Sequence, residues 1–221
     1  MAGATHSMTG GASSQLGEPI PATEESNPSE GPLFERVGRL SDGVFAISLT
    51  LLVLNFEVPE TGDGIRDGLV ETVPTAIAFV VTVFVVALFW RNHHELFSEF
   101  RALEWPVVGA NFVYLGLVAL IPFPNELIGA FPDEPLSFVA FATLLAALAT
   151  VETAMHLYAT NRGLLKPEIS PATARLELYR GLLTVAVFVA SIPLAFVLVE
   201  LTPVLWVALV VTDSAIVRRV D

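Results

Sequence analysis

Long apolar stretches separated by short polar segments run through the sequence from residue 34 onward. A helix needs about 20 mostly apolar residues to cross the roughly 30 Å hydrocarbon core of a bilayer. Six stretches approach or meet this length, so the pattern predicts an all-α membrane protein with six transmembrane helices in one domain over residues 34–221. The predicted spans are 40–58, 72–90, 105–124, 136–158, 182–199 and 201–217.

The basic residues fall on alternate connections between these predicted spans. Because cytoplasmic loops carry an excess of Lys and Arg near helix ends, this distribution predicts a multi-pass protein of the cell membrane with both termini in the cytoplasm. Only Arg66 falls on the other side. The cytoplasmic set comprises Arg36, Arg39, Arg91, Arg101, Arg162, Lys166, Arg175, Arg180, Arg218 and Arg219.

Residues 1–33 differ in composition from everything that follows. They are rich in Gly, Ser, Thr, Pro and Glu and contain no apolar run, so we expect a disordered, acidic cytoplasmic tail. A secretory signal would require a basic start followed by an apolar core, and neither is present in this segment. The first apolar stretch is therefore expected to remain as a membrane helix.

Composition and charge exclude several classes of function. A hydrophobic content of 53% with 15% charged residues is too apolar for an ordinary soluble domain. The net charge of −12 argues against nucleic acid as a partner, because phosphate binding requires clustered basic residues. Cysteine is absent, which excludes disulfides, thiolate metal sites and thiol nucleophiles. We therefore expect no soluble substrate to be processed and no metal or organic cofactor.

The first predicted helix opens with polar residues and then contains no charge from 43 to 56. A carboxylate at a membrane edge is usually paired, and Arg36 or Arg39 lies close enough in sequence to pair with Asp42. Alternatively, Ser41 or Asp42 caps the helix by accepting free backbone amides. The sequence leaves both interpretations open.

An aliphatic stripe follows on the same helix. Ile47, Thr50, Leu51 and Leu54 have i, i+3, i+4 and i+7 spacing and therefore share one face. Rings of bulky aliphatic side chains can close a pore by excluding water. Such a stripe on a membrane helix more often contacts lipid or packs in a core, so spacing alone does not identify a pore.

The segment from Arg36 to Leu54 closely resembles the first-helix signature of the transmembrane protein 175 family of potassium channels. The family pattern is Arg, three further residues, and Phe-Ser-Asp, and here Leu40 replaces the Phe. Additional matches are the run from Phe89 through His93 and His94 to Phe97, and Asn111 with the Ile-Pro-Phe-Pro run at 121–124. The similarity extends over residues 36–134.

This resemblance implies a homotetramer in which the first helices surround a central pore that conducts potassium passively. Carried over by position, Ile47 is expected to form the narrowest hydrophobic ring, with Leu51 and Leu54 extending it. Thr50 is expected to contribute a polar ring. The implied partners are further copies of the chain and the lipid bilayer, potassium is the permeant species, and no reaction is catalysed.

The resemblance also implies a polar network at the cytoplasmic end of the first helix. Its expected members are Arg36, Ser41 and Asp42, together with His93 or His94. A metal site at the two adjacent histidines is disfavoured, because the His-Glu-x-x-His spacing is missing. Packing is the expected main role of these histidines, although a histidine at this position can also couple conduction to pH.

Two other classes of function stay open. A proton-coupled secondary transporter would use Glu152 and His156, which lie i, i+4 on one predicted helix, together with Asp213. The plainer interpretation is that these groups pair or extend towards basic residues at the inner interface. A non-conducting membrane scaffold would carry no ionic current at all.

Overall fold

The computed structural model describes residues 32–56, 65–209 and 212, and all regular elements in these ranges are helical. One 3₁₀ turn, Leu52–Asn55, continues the first helix, and another, Val199–Leu201, precedes a helical segment at 202–209. The helices are α1 (Pro32–Leu51), α2 (Ile65–Glu71), α3 (Val73–Glu99), α4 (Trp105–Ala119), α5 (Pro122–Ala130), α6 (Pro135–Arg162) and α7 (Pro171–Val197).

Five stretches of the described chain are long and apolar enough to cross a membrane. The chain is therefore an all-α, multi-pass membrane protein. The sixth predicted span, 201–217, is helical over 202–209, and its positions 210, 211 and 213–217 lie outside the described residues, as does nearly all of the predicted tail. The five spans are Leu33–Asn55, Val73–Glu99, Trp105–Ala130, Pro135–Arg162 and Pro171–Val197.

Several helices are longer than the predicted apolar spans. Charged and polar residues that flank these spans are also helical. The first span begins at Pro32 and not at residue 40, so Ser41 and Asp42 lie inside α1 and the capping interpretation is wrong. The Glu35–Arg39 ion pair, at 3.2 Å, spans one turn of this extension.

The fifth span likewise begins eleven residues earlier than predicted, at Pro171 instead of 182. Ser170 caps it by accepting the Thr173 backbone N–H at 3.1 Å, and proline at the first helical position suits a helix start. Arg175 and Arg180, which were predicted to lie in a loop, therefore lie in this helix. Charged side chains are tolerated there because they lie near the end of the span.

The third span is broken into two helices. It was predicted as one helix ending at residue 124, whereas α4 ends at Ala119 and α5 begins at Pro122. Pro122 and Pro124 have no backbone N–H, so the regular helical hydrogen bonds cannot continue across this point. Pro124, the last residue of the predicted span, instead lies in the first turn of α5, which runs to Ala130.

The contact between α6 and α7 and the contacts of α1 with its neighbours hold the bundle together. The most extensive helix contact is between α6 and α7, whereas α1 packs mainly on α4 and also contacts α3 and α5. A cluster of aromatic rings joins the spans, with Phe89 stacked on Phe188 at 5.8 Å and Phe141 edge-on to Trp206 at 5.2 Å. Trp206 donates to Ser191 Oγ at 3.0 Å, which attaches the helical segment 202–209 to α7.

The connections at the end of the bundle that bears most basic residues are tied to each other. The Arg101 N–H donates to Leu164 O at 2.9 Å, joining the loop after α3 to the loop after α6. Glu104 accepts hydrogen bonds from the Tyr158 hydroxyl at 2.7 Å and from Arg162 at 3.3 Å, and these bonds lower the pKa of its carboxyl. Hydrogen bonds between its connections therefore stabilise this end of the bundle in addition to the apolar core.

We predict that Gly181→Ala destabilises the protein. A Cβ at this position in α7 would lie 2.5 Å from Thr153 Oγ1, and that hydroxyl is held by its own bond to Ala149 O at 2.7 Å. The expected loss is about 1–3 kcal/mol of unfolding free energy, typical of overpacking. Thermal unfolding in detergent measures it. Gly116→Ala is the control, because a Cβ there meets nothing within 4 Å; equal melting temperatures for the two variants would contradict the prediction.

Candidate functional site

One face of α1, continued by the 3₁₀ turn that follows it, is packed against the rest of the chain. Buried residues recur along the helix at intervals of three or four, which is the period of a single helix face. This face contacts α4 and α3, so its orientation is determined by packing. Its members are Val37, Ser41, Phe45, Ser48 and Leu52.

The opposite face of α1 is exposed and strongly apolar. Ile47, Leu51 and Leu54 are 60%, 39% and 73% exposed, respectively. Thr50 shares this face and donates its hydroxyl hydrogen to Ile47 O at 2.8 Å, so its oxygen lone pairs remain available. An aliphatic face of this kind can contact lipid or another subunit, or it can form a water-excluding constriction when several copies meet.

Three polar side chains form a buried chain of hydrogen bonds between α1, α3 and α4. Ser41 donates to Val37 O at 3.0 Å within its own helix, and Asn111 Nδ2 donates to Ser41 Oγ at 3.3 Å. The other side of the Asn111 amide meets His93 Nε2 at 2.8 Å. Because the amide oxygen only accepts, His93 Nε2 carries the hydrogen. One asparagine thus connects the first span to the second.

His93 is also enclosed by aromatic rings. It stacks on Phe97 at 4.4 Å and on Tyr114 at 5.0 Å, and Phe45 of α1 approaches edge-on at 5.8 Å. The imidazole is 4% exposed. This environment fits the predicted packing role of His93.

The remaining residues expected in the polar network are located elsewhere. Asp42 accepts a hydrogen bond from Trp90 Nε1 at 3.0 Å, and Trp90 stacks on His94 at 5.7 Å. Arg39 pairs with Glu35, and Arg36 is exposed with no ion pair to any residue in the described ranges. The arginine-to-aspartate pairing that was considered for α1 is therefore absent from the described part of a single subunit.

Sequence reasoning did not identify two further polar residues on the first span, Ser48 in α1 and Asn55 in the 3₁₀ turn that follows it. Ser48 donates to Val118 O at 2.9 Å, and Asn55 Nδ2 donates to Pro122 O at 3.3 Å. Together with Ser41 they occur at every seventh position, which returns a side chain to nearly the same face of a helix. That spacing was the available signal.

Glu152 and His156 line a small polar cavity of about 60 Å³ between α3, α6 and α7. His156 Nε2 donates to Ala174 O at 2.9 Å, and Arg162 pairs with Glu104. Arg162 is thus paired with Glu104, while Glu152 and His156 share their cavity with the basic residue Arg180. The cavity is also lined by Asn92, Glu95, Glu99, Glu177 and Arg180, and by no residue of α1.

A metal site and Asp213 are the remaining candidates from the sequence. No group of three His, Asp or Glu side chains within the described ranges could hold a metal ion. Asp213, the third acidic candidate for proton coupling, lies outside the described residues.

The chain is similar in sequence to known potassium channels. Residues 36–122 match the family described as "Endosomal/lysosomal potassium channel TMEM175". A potassium channel of Streptomyces collinus is 31% identical over 174 residues, covering 76% of this chain and 84% of the relative. A potassium channel of Chamaesiphon minutus is 33% identical over 132 residues, covering 55% and 65%, respectively.

The fold is also similar to a solved structure. The crystal structure of a lysosomal potassium-selective channel TMEM175 homolog from Chamaesiphon minutus matches with a TM-score of 0.72 at 25% identity. The match covers 82% of this chain and 96% of that one. The similarity therefore includes the spans beyond residue 122, where the match to the family ends.

We predict that Asn111→Ala lowers the unfolding free energy by about 1–3 kcal/mol, because Ser41 and His93 both lose a partner in a buried environment. Asn161→Ala is the matched control, since Asn161 is exposed at the end of α6. Thermal unfolding of the two variants in the same detergent measures the difference. Equal melting temperatures would show that the buried hydrogen-bond chain does not stabilise the contact between α1, α3 and α4.

Proposed function

This chain belongs to the TMEM175 family of potassium channels, and on that premise we propose that it is a channel subunit that conducts potassium passively across the cell membrane. Family membership rests on the Streptomyces relative, 31% identical over most of both chains. The relatives are ion channels, so the chain is not an enzyme. The observation that supports α1 as the conducting element is its exposed apolar face, opposite a face fixed by packing and hydrogen bonds.

The proposed assembly is a homotetramer of six-helix subunits, with copies of α1 surrounding a central pore. The small polar cavity within one subunit lies away from α1, and the apolar face of α1 has no partner element in the described part of one chain. Further copies of the chain would cover that face. The positions of the basic residues support an orientation with both termini in the cytoplasm.

In this assembly Ile47 forms the narrowest ring, and Leu51 and Leu54 extend the hydrophobic constriction. Aliphatic rings of this kind control conduction by excluding water when the pore is narrow. Thr50 adds a ring of hydroxyl oxygens, whose free lone pairs can replace part of the hydration shell of potassium. Potassium is thus the permeant species, and no cofactor is required.

The residues at the basic end of α1 hold the pore helix to its neighbours. Ser41 acts through Asn111 and His93, whereas Asp42 acts through Trp90, against which His94 stacks. Arg36 is exposed, which makes it available to an adjacent subunit or to lipid headgroups. These contacts would resist rotation of α1 about its own axis.

The transporter alternative uses Glu152 and His156, which face a cavity separate from α1. It predicts saturable flux coupled to protons, and the scaffold alternative predicts no flux. The channel proposal predicts flux that rises with the potassium gradient without saturating. Vesicles containing purified protein, with potassium or sodium as the permeant ion, separate all three.

We predict that Ile47→Asn raises potassium flux by on the order of tenfold, equivalent to a barrier lowered by about 1.4 kcal/mol. A polar ring at the constriction stays hydrated, whereas an aliphatic ring expels water. Val189→Asn is the control, because Val189 is half exposed on α7 and lies outside the proposed pore. Unchanged flux in an Ile47→Asn protein that assembles normally would contradict the assignment of Ile47 as the constriction.

A further inference from the structure

The break between α4 and α5 creates a backbone problem inside the third span. Pro122 has no N–H, so it cannot donate to Val118 O, which lies four residues earlier. Within a membrane, a freed carbonyl must find another donor in the protein. The Ile121 N–H reaches Val118 O at 3.1 Å in a tight turn, which leaves room for one further donor on this oxygen.

That second donor comes from α1. The Ser48 hydroxyl donates to Val118 O at 2.9 Å, and Ser48 is only 1% exposed. The two residues are 70 positions apart in the chain, so the bond is a tertiary contact. It supplies, from another helix, the hydrogen that the proline cannot provide.

A second bond links the same two regions. Asn55, at the end of the first span, donates to Pro122 O at 3.3 Å. With Ser41 bonded to Asn111 in α4, the first span is attached to the third at three levels, seven residues apart. Ser48 is the middle attachment and lies at the level of the exposed aliphatic residues.

Ser48 is adjacent in sequence to Ile47, yet the two face opposite environments. Ile47 is 60% exposed on the apolar face, whereas Ser48 is buried against α4. Because a helix turns by about 100° per residue, a fixed direction for Ser48 also fixes the direction of Ile47. A rotation or shift of α1 at this level would stretch the Ser48–Val118 bond.

We propose that Ser48 is a positioning residue for the conduction pathway: its hydroxyl replaces the amide hydrogen that Pro122 lacks, and it thereby holds α1 in the rotation that presents Ile47. This proposal rests on the proposed pore function of α1. Ser48 does not contact the permeant ion. It acts through the backbone of α4 and the orientation of its own helix.

The test compares Ser48→Ala with a matched loss of a buried hydroxyl elsewhere. Ser191→Ala is the control, because Ser191 is fully buried in α7, donates to Val187 O at 2.8 Å, and lies outside α1. Both variants are expected to unfold at lower temperature. Only Ser48→Ala is expected to lower the potassium-to-sodium flux ratio in vesicles, by about threefold, the scale of one lost hydrogen bond.

A second pair of variants tests the link to the proline. In Pro122→Ala the restored amide can donate to Val118 O, so Ser48→Ala should lower the melting temperature and the flux ratio less in that background than in the original chain. Melting temperature is measured without any flux. The stability comparison therefore tests the Ser48–Val118 anchor independently of conduction.

The outcomes distinguish this proposal from the proposed function. If the original chain conducts potassium and Ser48→Ala leaves the flux ratio unchanged, as Ser191→Ala does, the positioning role is wrong while the channel stands. If Ser48→Ala lowers the melting temperature equally in the Pro122→Ala background and in the original chain, the Ser48 hydroxyl does not replace the amide hydrogen that Pro122 lacks. If the original chain carries no potassium flux, the proposed function fails, and the conduction role of Ser48 fails with it.

Discussion

Backbone hydrogen bonding within a nonpolar environment is the constraint on which the rest of this structure depends. Hydrocarbon offers no partners, so each polar group freed inside the bundle must be satisfied by another part of the chain. Pro122 cannot donate to Val118 O, which instead accepts the Ile121 N–H in a tight turn and a second bond from Ser48 of α1. A local irregularity in the third span thereby specifies where the first span packs.

The same constraint gives α1 two unlike faces although most of its residues are apolar. One face holds the polar anchors, including Ser41 and Ser48, and is buried against α4. The other holds Ile47 and Leu54, which remain exposed in a single subunit. A helix that is packed against its neighbours on one face and exposed on the other is well suited to line a pore between subunits.

Sequence reasoning located five of the six predicted spans that the structure describes as long apolar helices, because bilayer thickness dictates their length. It misplaced their ends because the Glu35–Arg39 pair and the Ser170 cap keep polar residues helical beyond the apolar core. Within the site, the exposed face at Ile47 followed from helical spacing together with the family resemblance. Ser48 was missed because a serine in an apolar run is ordinary in composition, and its partner, Val118 O, becomes apparent only from tertiary packing.

If one face of the first span lines the conduction pathway, thiols placed on that face will lie in the pore, and the absence of cysteine from the chain allows a direct test. Single cysteines are introduced along α1, and potassium current through the reconstituted protein is measured before and after a small thiol reagent. We expect the reagent to reduce current at Ile47→Cys and Leu54→Cys, which are exposed on that face, and to leave it unchanged at the buried Leu52→Cys. Reduction at Leu52→Cys alone, with current unaffected at the other two positions, would contradict it.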